Sequence, residues 1–67
     1  MKNLIIQALE SGNKIVVSFD KNHKYVADTL IDPVQSSPNC IVVGLKDYKS
    51  THIINLELVR KVKILNN

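Results

Sequence analysis

The spacing of hydrophobic residues along the chain changes once, close to residue 13. Before that point Leu4, Ile5, Ala8 and Leu9 recur at helical spacing and predict a helix over about residues 2–11. Gly12 follows, where a glycine in the left-handed conformation commonly ends a helix. A helix with one apolar stripe must bury that stripe against the rest of the chain or against a partner.

After residue 13 the apolar residues alternate with a period of two, which is typical of β-strands. The pattern predicts five strands, at about residues 14–20, 24–32, 40–46, 51–55 and 59–65. The third is nearly continuous in apolar residues and is expected to be central, and residues 56–58 suit a single turn of helix. Short strands with tight connections can close on themselves. We therefore expect one mainly β domain over residues 1–67, a small five-stranded barrel preceded by one N-terminal α-helix.

Composition narrows the classes of protein that fit this pattern. The chain is 45% apolar and 22% charged, which is typical of a folded domain. It has a single cysteine, whereas small secreted domains usually carry several, so a reducing, cytoplasmic setting is expected. No apolar run approaches the roughly 20 residues that span a bilayer, so no membrane association is expected.

Enzyme chemistry finds little support in the residue types present. Two histidines and one cysteine at unrelated spacings give no metal-ligand signature. Two glycines in the whole chain leave no glycine-rich phosphate loop. We therefore predict a non-enzymatic protein with no metal and no cofactor.

Four segments resemble the WYL domain, a small Sm-like barrel found mostly in bacterial regulators. The matching pieces are LESGNKIVVSF, LIDPV, NCIVVGL and HIINLELVRKVKIL. They keep the order and spacing of that family between about residues 9 and 65, and the placement of Pro33 and the Val43-Gly44 pair are the more specific parts. The resemblance implies an Sm-like barrel that binds nucleic acid or a nucleotide.

The residues that give the WYL family its ligand site are mostly replaced in this chain. Its Trp, Tyr and Leu correspond to Cys40, Ile41 and Val42. Its arginine before the fourth strand falls on His52, while Glu57 keeps the family's acidic position. The resemblance therefore implies the barrel more strongly than it implies the ligand site.

The end of the third strand and the turn that follows it hold the main candidate contacts, Lys46, Tyr48 and Lys49. The two lysines could contact phosphates, and Tyr48 could stack on a base or anchor a protein interface. His52 could donate to a phosphate, or be a strand residue that faces solvent opposite Ile53. Alternatively, the lysines only keep a β-rich protein soluble.

Two further basic clusters are visible. Lys21 and Lys24 lie beside the first predicted hairpin turn and would extend a basic rim if both turns share one side of the barrel. Lys61 and Lys63, next to Arg60, share the outer face of the last strand and are secondary candidates for polyanion contacts. That last cluster could equally be charge that discourages strand addition at an edge.

The residues therefore favour a regulatory module that binds nucleic acid or a nucleotide-type ligand. The net charge of +3 permits salt-sensitive attraction to polyanions without demanding it. An alternative is a protein-interaction module, an Sm-like inhibitor, adaptor or homodimer that acts through the helix stripe or a sheet edge. A third hypothesis is a barrel retained without the DNA-binding domain of a parent regulator.

Overall fold

The computed structural model describes residues 1–47 and 50–66, in which one α-helix precedes six β-strands. The elements in chain order are α1 (Lys2–Glu10), β1 (Lys14–Ser18), β2 (Lys24–Ala27), β3 (Thr29–Asp32), β4 (Cys40–Leu45), β5 (Ser50–Asn55), a 3-10 turn (Leu56–Leu58) and β6 (Lys61–Leu65). The mainly β architecture, the N-terminal helix and the helical turn at 56–58 are as predicted.

The strands form two antiparallel three-stranded sheets. Sheet A has the order β2-β1-β6, so the first strand pairs with both its neighbour and the last strand. Sheet B has the order β3-β4-β5, which confirms that the apolar segment beginning at Cys40 is central. Each sheet therefore has one inner strand and two edge strands.

The prediction of one continuous strand over residues 24–32 is wrong, because the chain breaks at Asp28. Ala27 pairs with β1 in sheet A, whereas Thr29 pairs with β4 in sheet B. The Asp28 carboxylate accepts hydrogen bonds from the Thr29 hydroxyl (2.8 Å) and from the Lys46 amide (2.9 Å). These bonds stabilise the change of direction, so six strands replace the five expected.

Helix α1 buries a narrower stripe than the sequence suggested. Ile5, Ala8 and Leu9 are buried, but Leu4 is 62% exposed, so its assignment to the buried stripe is wrong. Successive helical residues lie about 100° apart, which places Leu4 beyond the edge of the stripe. Gly12, with φ of 86°, has the left-handed conformation predicted after the helix.

The hydrophobic core lies between the inner faces of the two sheets and the buried stripe of α1. It consists of Ile5, Ala8, Leu9, Ile15, Val17, Ala27, Ile41, Val43, Ile54 and Leu56. Val62 packs against this core from the edge strand β6, while Ile64 on the same strand is 39% exposed. The alternation that sends these residues inward sends the intervening ones to the outer faces.

Candidate functional site

The outer face of sheet A carries lysines on both sides of its central strand. In β1, Ile15 and Val17 are buried, which turns Val16 and Ser18 outward. Ser18 lies directly between Lys24 of β2 and Lys61 of β6. Residues that are directly opposite each other in a sheet point to the same face. A row of lysine, serine and lysine therefore crosses the sheet.

A second row lies next to the first and extends the surface. It places Val16 between Val26 and Lys63. Lys21, from the turn between β1 and β2, and Arg60, just before β6, lie at the end of the face. Together they bound a shallow open groove of about 530 Å³, lined by Val16, Ser18, Asp20, Lys21, Lys24, Arg60, Lys61 and Lys63. We call these eight residues the basic groove.

Asp20 is the acidic member of the basic groove, and its carboxylate is held within its own turn. The amides of Asn22 and His23 donate to Oδ1 at 2.7 and 2.9 Å, and the His23 Nδ1 lies 2.8 Å from both carboxylate oxygens. The His23 hydrogen bond, followed by that of the Asn22 amide, lowers the pKa of Asp20. Asp20 therefore shapes the turn that presents Lys21 and Lys24.

The cations of the basic groove are not neutralised by neighbouring carboxylates. Among the residues that the structure describes, the ion pair is that of His23 with Asp20, and no lysine or arginine is paired with an acidic side chain. This face carries five exposed cations and one carboxylate, and that carboxylate is hydrogen-bonded within its own turn. The face therefore attracts anions.

His52 lies on the inner side of sheet B, so the expectation that it faces solvent opposite Ile53 is wrong. It is paired with the buried Val43 and shares its face with the buried Ile54, whereas Ile53 is 77% exposed. Its ring stacks on that of Tyr25 from sheet A, with centroids 4.4 Å apart and planes 16° apart. His52 therefore connects the two sheets.

Tyr25 and Phe19 lie at the margin of the core. Tyr25 is 42% exposed, while Phe19 is partly buried and packs against the core. Their rings meet edge to face, with centroids 5.5 Å apart. The aromatic contacts therefore run along the seam between the sheets and not along the basic groove.

The predicted contact residues fall in different parts of the molecule. Lys61 and Lys63 line the basic groove, whereas Lys46 lies in the connection after β4, exposed and with its amide bound to Asp28. Neither Lys46 nor His52 lines the groove. Tyr48 and Lys49 lie outside the described residues.

Three of the five groove cations were not among the predicted contacts. Lys21 and Lys24 belonged to one predicted cluster and Arg60 to another, because Arg60 is far from both lysines in the sequence. The pairing of β1 with β6 brings them together. Alternation does indicate that Lys24, Lys61 and Lys63 face outward, but a single sequence carries no direct signal for which distant strands are neighbours.

The outer face of sheet B differs from the basic groove in its chemistry. Val42 is paired with the exposed Ile53, and the Ile31 side chain lies over Gly44 on the same face. These residues form an apolar band, Ile31, Val42 and Ile53. In the part of the chain that the structure describes, the outer face of sheet A is therefore basic, whereas the outer face of sheet B carries an exposed apolar band.

Comparisons of the chain with protein-family models, with curated proteins and with solved structures found no match. Within residues 1–47 and 50–66, no group of three or more His, Cys, Asp or Glu side chains is arranged to hold a metal ion. The helices in this part of the chain also lack the length and apolar character needed to cross a membrane. The geometry of the basic groove is therefore the main basis for a functional proposal.

Proposed function

We propose that this chain is a small non-enzymatic regulatory module that binds nucleic acid or a nucleotide-type ligand through the basic groove. The observation that carries the proposal is the row in which Lys24 and Lys61 flank Ser18 on the exposed face of sheet A. Lysines on both sides of a neutral strand hold phosphate oxygens from two directions, and each contact releases counterions.

The proposal assigns binding and not catalysis to this surface. The groove is shallow and open, so water screens its charges, whereas catalytic side chains are usually found in enclosed, desolvated sites. Lysines in such a place act as point charges toward phosphate. The expected ligands are therefore polyanions held by salt-dependent attraction.

The architecture that we propose for this function is a WYL-like, Sm-like small barrel. The proposed setting is the cytoplasm. Support for the barrel comes from the pairing of the first strand with the last and from the bend at Asp28, where the chain passes from sheet A to sheet B. Support for the cytoplasmic setting comes from the single cysteine, Cys40.

A fluorescence anisotropy titration against a labelled oligonucleotide tests the function and its location. Lys24→Ala/Lys61→Ala removes two groove cations, and Lys46→Ala/Lys49→Ala removes two from the connection between β4 and β5. Both variants lower the net charge equally, from +3 to +1. The groove variant is expected to lose most of the affinity and the connection variant to keep it. If the wild-type protein did not bind the oligonucleotide at low salt, the proposal would be wrong.

A protein-interaction module is the second candidate, favoured by the apolar band on sheet B. The helix stripe considered for this role is buried in the core, so the exposed band is the better surface. Its expected occupant is a second copy of the chain. Two copies that meet through their uncharged bands keep their basic faces apart, which limits repulsion between molecules of net charge +3.

Sedimentation velocity distinguishes this second candidate. Ile53→Lys places a charge in the band on the edge strand β5, where the present side chain is 77% exposed and contributes little to the core. A dimer that dissociates in this variant would support self-association through sheet B. A wild-type protein that stays monomeric at high concentration would exclude it.

A further inference from the structure

We infer that the basic groove binds the phosphate backbone of double-stranded nucleic acid, and not the bases of a single strand. The inference rests on the function proposed above and specifies its ligand. Four features of the groove carry it: the spacing of its cations, the position of the aromatic rings, the shape of its floor and the number of its charges.

The spacing of the lysines suits two backbone strands. Neighbouring β-strands lie about 4.8 Å apart, so the backbones at Lys24 and Lys61 are separated by roughly 10 Å across β1. Lys61 and Lys63 are two residues apart on one strand, a distance of about 6.7 Å. Flexible lysines on this grid can reach phosphates on both sides of a duplex groove about 6 Å wide.

The aromatic rings of the described residues contact other parts of the protein and do not line the groove. Proteins that hold single strands without sequence preference combine a basic surface with aromatic rings on which bases stack. Here Tyr25 lies opposite the buried Val17, on the inner face of sheet A, and stacks on His52. Phe19 packs against the core and against Tyr25. Among the described residues the groove therefore offers no aromatic ring for base stacking.

The floor of the groove is too flat to read base edges. Val16 and Ser18 form it, and they are short side chains on the central strand. Base edges are read by an element that enters a groove of DNA, commonly an α-helix or a two-stranded ribbon in the major groove. A three-stranded sheet presented by its face lies across the backbones and contacts phosphates, which carry no direct sequence information.

The number of cations in the groove predicts how strongly binding depends on salt concentration. If all five cations contact phosphates, the logarithm of the duplex binding constant falls with a slope of about −4.5 against the logarithm of salt concentration. The same contacts on a single strand give a slope of about −3.5, because single strands condense fewer counterions. Without stacking to compensate, the duplex is the tighter ligand.

The test uses the full chain and four labelled 20-nucleotide probes: a random-sequence duplex, its isolated single strand, a duplex rich in A·T and a duplex rich in G·C. Anisotropy titrations are made at several salt concentrations with the wild type and with Lys24→Ala/Lys61→Ala. The duplex is expected to bind about tenfold tighter than the single strand at low salt. The duplexes should agree with one another within about threefold. The variant should reduce the salt slope by about 1.8.

The outcomes separate this inference from the function on which it rests. Equal or tighter binding of the single strand, or a strong preference for one duplex sequence, would overturn the inference while leaving nucleic-acid binding in place. Absence of binding to every probe would overturn both. A binding constant and salt slope unchanged in Lys24→Ala/Lys61→Ala would show that another surface binds, which also overturns the inference.

Discussion

The Tyr25 ring lies face to face with the His52 imidazole, at a centroid distance of 4.4 Å. One residue belongs to β2 of sheet A and the other to β5 of sheet B, so the stack joins the sheets at the margin of the core. The Phe19 ring also contacts the Tyr25 ring, edge to face. His52 therefore has a packing role that its strand position alone does not reveal.

The first prediction concerns the energy of this stack. In a double-mutant cycle of Tyr25→Ala and His52→Ala, the two losses of unfolding free energy should be non-additive, with a coupling of about 0.5–1.5 kcal/mol. Urea unfolding followed by circular dichroism provides the measurement. A coupling near zero would mean that the rings do not interact in solution. His52→Ala should leave polyanion binding unchanged, since His52 does not line the basic groove.

The second prediction compares the two glycines. A Cβ at Gly44 would overlap the Ser50 carbonyl oxygen and crowd the Ile31 side chain, at 3.0 Å. Gly44→Ala should therefore lower the unfolding free energy by about 3 kcal/mol, a large fraction of the stability of a domain this small. Gly12→Ala is the matched control, because a Cβ there meets no atom within 4 Å and only its positive φ is unfavourable.

The control should cost about 1 kcal/mol, the usual penalty for a residue with a Cβ in the left-handed conformation. Thermal unfolding of both variants beside the wild type measures the difference. If Gly12→Ala proved the more damaging change, the close approach of β5 to β4 at Gly44 would be contradicted.

The third prediction follows from the hydrogen bonds of Asp28. The Lys46 amide first, and then the Thr29 hydroxyl, lower the pKa of its carboxylate below the usual value. A depressed carboxyl pKa stabilises the folded protein above the pKa of the unfolded chain, about 3.9, and this stabilisation is lost as pH falls through the folded value. Asp28→Asn should therefore be less stable than the wild type at pH 7. The difference in unfolding free energy between the two proteins should disappear below about pH 4.

Urea unfolding at pH 7, 5 and 3 checks this dependence. Asp32→Asn is the control, since among the described residues that carboxylate accepts a single hydrogen bond, from the Val34 amide two residues further along the chain. At pH 7 this control should be destabilised less than Asp28→Asn. If the difference in unfolding free energy between Asp28→Asn and the wild type stayed constant from pH 7 to pH 3, the charge of Asp28 would not stabilise the bend.

Local patterns predicted most elements of the fold. Period-two alternation placed β1 and β5, the nearly continuous apolar run placed β4, and the helical spacing together with Gly12 placed α1. The break at Asp28 was missed because alternation runs through it without interruption from Tyr25 to Ile31. The bend depends on the Lys46 amide, eighteen residues away, and such a long-range contact leaves no mark on the local pattern.

The candidate site was predictable only in part, for the same reason. The outward direction of Lys61 and Lys63 follows from alternation within β6, and the structure agrees. Their grouping with Lys24 depends on the shared partner strand β1, and strand order is a property of the whole chain. For His52 the predicted direction of the side chain was wrong. In a strand, a shift of one residue exchanges the side chains that face the core with those that face solvent.

The fourth prediction tests the central claim that the basic groove is the binding surface. A ¹⁵N–¹H correlation spectrum recorded during titration with a short duplex reports on each backbone amide separately. We predict that the largest shifts occur at Ser18, Lys24, Lys61 and Lys63, with small changes at Lys46 and His52. Raising the salt concentration should reverse these shifts, since the contacts are electrostatic. Shifts centred on the segment from Lys46 to His52, with the basic groove unaffected, would contradict the account.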